Sequence, residues 1–127
     1  MPYSAAKIFV TCDEAEVRKW ADFMVANLSE VKQSLLNEGA RHEIWYMGEE
    51  EGSIYLVGVM DVEDEAASAA VAAGSELAVD EVHRNFKQHW DRDRSSKLEI
   101  DPLVEPSFRE LDLLFEARVC PEGVRDG

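Results

Sequence analysis

The chain has 127 residues, 46% hydrophobic and 31% charged, which suits one domain with a core that needs no disulfide or metal staple and excludes general disorder. Asp and Glu number 27 against 13 Lys and Arg, a formal net charge of −14. That field repels phosphate backbones and anionic lipid, so neither nucleic acid nor a membrane surface is an expected partner, and a solvated acidic face accounts for the count without a cationic ligand.

In chain order, residues 5–12 are β-prone (Ile8, Phe9, Val10, Thr11) and predict a first strand. Asp13 with Glu16 makes a capping box, and Val17, Trp20, Met24, Leu28, Val31 and Leu35 recur at helical spacing. The expectation is one long amphipathic helix reaching Glu38, with Gly39 as its C′ residue. Residues 42–47 predict a second strand, 49–53 an acidic hairpin turn and 54–62 a third strand. Asp61 is the expected cap of an alanine-rich helix over 63–73, with Asp64 near its N-terminal dipole. Gly74 and Ser75 interrupt it, and a further helix is expected from 79 to 90. Residues 94–107, with Pro102 and Pro106, predict a loop or arm; residues 109–117, with Leu111, Leu113 and Phe115 on one face, predict the last strand. The domain is expected over 1–117, with 118–127 as a tail.

This order is β-α-β-β-α-β, which predicts an α+β, ferredoxin-like sandwich with an antiparallel sheet whose first and third strands lie side by side. A sheet covered on one side should alternate apolar and polar residues. Here Ile54, Leu56 and Met60 oppose Tyr55, Val57 and Val59; Ile44 and Tyr46 oppose Trp45 and Met47; Ile8 and Val10 oppose Phe9. Both faces call for burial, and the helices can cover one. A second copy packed sheet to sheet, giving a homodimer, is the expected solution; cover by the 94–107 arm is the alternative.

The order of elements, the two-faced sheet and the size resemble the dimeric α+β barrel superfamily. More specifically, Trp20, the stretch Asp80-Glu81-Val82-His83-Arg84-Asn85-Phe86 and the stretch Leu111-Asp112-Leu113-Leu114-Phe115 are similar to a family of small uncharacterised bacterial proteins within it. The resemblance spans roughly residues 7–117 and carries no catalytic signature. Better-known members of the superfamily include antibiotic-biosynthesis monooxygenases, haem-degrading monooxygenases, sugar mutarotases and muconolactone-isomerase-like enzymes. Their sites differ, so the fold transfers no chemistry.

Among candidate site residues, His83 lies beside the stripe Val79, Val82, Phe86 and Trp90, with Asp80 one turn earlier, placed to orient or charge the imidazole as a general acid/base pair. The plainer reading of His83 is a partly buried histidine satisfied by Asp80 or a backbone carbonyl. His42 and Tyr46 share one face of the second strand, Glu43 and Trp45 the other; either set, with Tyr55 and Phe86, could line a ligand pocket. The sequence leaves that choice open, and ordinary packing stands beside it. His89 reads as a surface residue.

No metal site is expected, because no HxxxH, HxH or HExxH spacing occurs and the acidic run from Asp61 to Glu65 lacks the spaced ligands of a calcium loop. No cofactor is expected either: P-loop, GxGxxG and GxSxG motifs are absent, and His83 is the one plausible haem ligand. Residues 1–6 carry no basic n-region and no apolar run approaches roughly 20 residues, so a cytoplasmic protein is the expectation. Cys12 and Cys120 form no CxxC pair and are expected at opposite ends of neighbouring strands, as two free thiols. The functional expectation is a homodimer binding a small organic molecule. Its alternatives are a cofactor-independent monooxygenase or isomerase, and a non-catalytic structural or interaction dimer.

Overall fold

Residues 3–119 are described in a computed structural model. They run β1 (Tyr3–Val10), α1 (Glu14–Ala26), α2 (Leu28–Glu38), β2 (Ala40–Glu50), β3 (Ser53–Val62), α3 (Glu65–Gly74), α4 (Ala78–Phe86), a 3₁₀ turn (Lys87–His89), β4 (Trp90–Leu98) and β5 (Asp112–Arg118). The fold is α+β, and its five strands form one antiparallel sheet in the order β4-β1-β3-β2-β5. β1 and β3 are neighbours, as the element order predicts.

The expected long first helix is two helices. Asp13 caps α1 by accepting from the Glu16 amide, but Asn27 leaves helical geometry and its side-chain amide donates to the Phe23 carbonyl. A side chain competing for backbone groups ends a helix in this way. The apolar stripe survives the break because Val17, Trp20 and Met24 of α1 and Val31 and Leu35 of α2 bury against the same core. Gly39 closes α2 in the left-handed region, φ 73°, where a side chain is strained. β2 and β3 join through a two-residue turn, Glu51 and Gly52, both at positive φ.

Asp61 does not cap the next helix. It is a buried β3 residue beside Arg41, and Asp64 is the cap, accepting from the Ala66 and Ala67 amides. The last predicted helix ends at Phe86, and Trp90 already belongs to a strand. That strand, β4, takes up the first part of the segment expected to be an arm. Its sequence, WDRDRSSKL, lacks alternation because it is an edge strand, where charges oppose pairing with other chains. The sheet therefore has one strand more than predicted.

β4 and β5 lie at opposite edges of the sheet, so residues 99–111 must cross four strand spacings, roughly 19 Å, to join them. They cross the face away from the helices. Ile100, Phe108 and Leu111 pack there against Ala5, Ile44, Tyr46, Val57 and Val59, while the Tyr3 amide donates to the Pro102 carbonyl at 2.7 Å. On the helix side, Ile8, Val10, Trp45, Met47, Leu56, Val62 and Phe115 meet α1, α2 and α4. The two-faced strand pattern is thus present as predicted, and the alternative cover, the chain's own arm, occupies at least part of the second face. Cys12 is a free thiol; Cys120 and most of the expected tail lie outside the described residues.

One contact ties this packing to the helix-side face. Gly58 pairs with Trp45 across β3 and β2, and a Cβ there would sit 2.7 Å from the indole ring. Trp45 is itself pinned edge-on to Trp20, with ring centroids 5.3 Å apart, so it cannot swing away freely. Gly58→Ala is expected to destabilise the fold by about 1–3 kcal/mol through overpacking, read as a lower midpoint in urea with an unchanged slope.

Candidate functional site

Between the sheet and the helices lies a cavity of about 350 Å³. β1, β2 and β3 supply its floor through Ala6, Ile8, Glu43, Trp45, Gly58 and Met60; α2 supplies Ser34, Leu35 and Glu38, and α4 supplies Asp80 and His83. Ala69 and Ala72 of α3 face it, and their short side chains leave the space open where larger ones would fill it. The alanine-rich helix packs chiefly on α2 and roofs the cavity.

His83 stands among all three tryptophans of the chain. Its ring stacks on Trp20 at 5.6 Å and meets Trp45 and Trp90 edge-on at 5.7 and 6.0 Å. Phe86 lies flat against the Trp20 ring at 4.5 Å and so braces this aromatic group from outside the cavity. Neither imidazole nitrogen has a hydrogen-bond partner among the described residues. Burial, with the Lys87 charge adding to it, pushes the His83 pKa down to about 3, so the ring is neutral near pH 7.

Glu43 shares the Trp45 face of β2 and accepts a hydrogen bond from the Trp45 indole at 2.8 Å. Burial pushes its carboxyl up to about 7 despite that bond, and Glu38 and Asp80 add to the rise while Lys87 opposes it. Burial likewise raises Glu38 and lowers Lys87.

Behind these groups runs a chain of hydroxyls and carboxylates. Ser68 donates to Glu38 at 3.0 Å, Ser34 lies 3.1 Å from Glu38 and 2.7 Å from Asp80, and Ser75 donates to Asp80 at 2.5 Å. A serine has one proton to give, so Ser34 can satisfy both carboxyls only when one of them is itself protonated. From α2, Glu30 accepts from the Val79 amide at 2.9 Å, capping α4 from a neighbouring helix and fixing the turn that carries Asp80 and His83.

Of the residues singled out from sequence, the structure brings His83, Asp80 and Trp45 around one cavity, with Phe86 against it. The expected Asp80–His83 pairing is not made, because Ser34 and Ser75 occupy the Asp80 carboxylate. His42, Tyr46 and Tyr55 lie on the other sheet face. His42 is buried between Tyr3 and Glu116, Tyr46 packs on Phe108 of the arm at 5.4 Å, and Tyr55 packs on Phe9 beneath Lys7. The open choice on β2 thus falls to Glu43 and Trp45 for the helix-side cavity. Glu38 and Lys87 join the site without a signal in sequence, since each is an ordinary residue at a helix end; Trp90, expected in the helical stripe beside His83, reaches it from the start of β4 instead.

The two main titrations oppose each other. Glu43, raised from 4.5 to about 7, stabilises the fold fully below pH 4.5 and loses that contribution as pH rises through 7. His83, lowered from 6.5 to about 3, stabilises it above pH 6.5 and loses that contribution as pH falls toward 3. Between pH 4.5 and 6.5 the slopes cancel. Glu43→Gln is expected to unmask the histidine slope there. It should also raise stability at pH 8 on the order of 2 kcal/mol, with no gain at pH 4, measured by denaturant titration across pH.

The site's principal residues, Trp20, Glu38, Glu43, Trp45, Asp80, His83 and Trp90, all fall within one matched span. No curated protein and no solved structure matches the chain. A family model does match, over residues 10–110, and the chain accordingly belongs to DUF6176, a family of unknown function.

Proposed function

We propose that this protein binds a small organic molecule in the helix–sheet cavity and exchanges a proton with it through Glu43. The observation that carries the reading is the placing, around one apolar-walled cavity, of the Glu43 carboxyl, which burial raises to about 7, and the His83 imidazole, which has no hydrogen-bond partner among the described residues. Keeping either group away from water costs stability, and perturbed groups converging on an apolar pocket mark functional sites. At about 350 Å³ the cavity suits a ligand at the small end of the usual range.

In this reading the aromatic and aliphatic wall of Trp45, Trp90, Ile8 and Met60 holds the ligand's apolar body. His83 offers a ring nitrogen to a polar group on it. Glu43, its carboxyl raised by burial to about 7, takes a proton from an acidic C–H or O–H and returns it at another atom. That is the isomerase form of the alternative, a cofactor-independent monooxygenase or isomerase, that stood beside small-molecule binding in the sequence reading. The sheet order β4-β1-β3-β2 with an added β5 supports reading the fold as a widened ferredoxin-like sheet. A homodimer belongs to the same proposal, and the exposed Leu103, Val104 and Leu113, on the arm and β5, give it an apolar surface.

All three tryptophans surround His83, so intrinsic fluorescence reports on this site. Titration with small neutral and weakly acidic carbonyl compounds is expected to change it saturably. Ala72→Phe, which puts a large side chain on the α3 wall of the cavity, should abolish that change. Glu43→Gln should retain binding but slow solvent-deuterium exchange into the bound ligand roughly 10²-fold or more. A response that survives Ala72→Phe, or exchange indifferent to Glu43→Gln, would remove binding or proton transfer respectively.

A further inference from the structure

On the sheet face away from the cavity, a second polar group sits where the arm meets β2 and β5. His42 is 1% exposed. Its Nδ1 lies 2.9 Å from the Tyr3 hydroxyl and its Nε2 lies 2.5 Å from a Glu116 carboxylate oxygen. Glu105 of the arm joins them, so that one nitrogen and two carboxylate oxygens all lie within 4.8 Å of one another. The Arg118 guanidinium donates to Glu105 at 2.9 Å and reaches Glu116 at 3.5 Å. Asp61 pairs with both Tyr3 and His42 across the strands and is 5% exposed, and its Oδ1 has no hydrogen-bond partner among the described residues.

We infer that His42, Glu105 and Glu116 bind a divalent transition-metal ion, with Arg118 as the cation that holds the place in its absence. One imidazole and two carboxylates form a donor set suited to zinc and its first-row neighbours. The second shell is already built. A ligating histidine is normally fixed by a hydrogen bond at its other nitrogen, and Tyr3 stands at Nδ1. Binding then needs two local changes. Nε2 leaves its 2.5 Å contact with the Glu116 oxygen so that the ion can stand between them, while Nδ1 stays at the Tyr3 hydroxyl. Arg118, whose side chain is 55% exposed, swings into solvent and surrenders the two carboxylates.

The buried His42 gives the cluster a fixed anchor that an exposed acidic patch lacks. The charge argument points the same way. Two carboxylates side by side draw a cation, and Arg118 fills that role only from the surface. The ligands come from β2, the arm and β5, so the ion would staple the arm to the strands it crosses. No spacing in the sequence announces such a site, because His42 and Glu116 lie 74 positions apart. The inference does not depend on the cavity's function.

The test is calorimetric titration of the full chain with Zn²⁺, with Co²⁺ as a spectroscopic substitute and Mg²⁺ as a control. His42 is buried and its replacement can unfold the chain, so the exposed ligands are altered instead. Saturable one-to-one binding is expected, with visible Co²⁺ bands free of thiolate charge transfer. Glu105→Gln and Glu116→Gln should each weaken it by roughly tenfold or more, and Arg118→Ala should tighten it. Zn²⁺ should raise the melting temperature of the parent chain but not of the double glutamine variant. Absence of saturable binding, binding indifferent to both glutamine variants, or Mg²⁺ bound as well as Zn²⁺ would overturn the assignment.

Discussion

A sheet whose central strands are apolar on both faces has to be covered twice. In β3 the alternation Ile54, Leu56, Met60 against Tyr55, Val57, Val59 presents two hydrophobic surfaces, and each aliphatic side chain left in water would forfeit about 1.5–3 kcal/mol. Helices α1, α2 and α4 meet the first demand. The second is met, at least in part, by drawing the chain from one edge strand to the other across the open face. That routing explains why β4 and β5 stand at opposite edges and why Phe108 and Leu111 sit in a segment without regular structure. It also brings a glutamate of the arm beside a histidine and a glutamate of the sheet.

The two layers are packed to different densities. On the helix side, Trp20, Trp45, Phe86 and Phe115 interlock, and Gly58 is needed merely to make room for an indole. Beside that aromatic block α3 presents alanines, which leave a void. Voids cost dispersion contacts, and a glutamate facing one costs desolvation as well. A fold selected for stability alone would place leucine at 43 and a larger residue at 69 or 72. The persistence of Glu43, Glu38 and His83 around an unfilled space is the strongest departure in this molecule from what packing prefers, and such departures concentrate where function needs them.

How much of this the sequence discloses depends on which forces leave a periodic trace. The stripe from Val17 to Leu35, the Glu51–Gly52 turn and the double face of β2 and β3 are local patterns, and they are legible. The break at Asn27 is invisible to periodicity because the buried face continues through it. β4 escapes notice for a different reason: an edge strand is stabilised by backbone bonds to β1 while its side chains are chosen to repel other edges, so WDRDRSSKL has the composition of a loop. His83 is legible as a candidate from its place beside the α4 stripe. Its partners Glu43 and Trp20 are not, because they reach it from two other elements, and only the sheet register decides that Glu43 rather than His42 faces inward.

The two polar groups of the sheet divide along that same register. β2 sends Glu43 to one face and His42 to the other, one residue apart, and a slip of one position would exchange them. On the helix side the carboxyl meets indoles and a cavity, its charged form is disfavoured, and it becomes a group that titrates near neutrality. On the arm side the imidazole meets a tyrosine and carboxylates, with a guanidinium beside them, so every partner it has is polar. The same strand thus places one ionisable group against an apolar cavity wall and its neighbour where charged and polar groups compensate it. The Glu51–Gly52 turn, from which the β2–β3 pairing runs without a shift from Glu50↔Ser53 back to His42↔Asp61, is the local feature on which both arrangements depend.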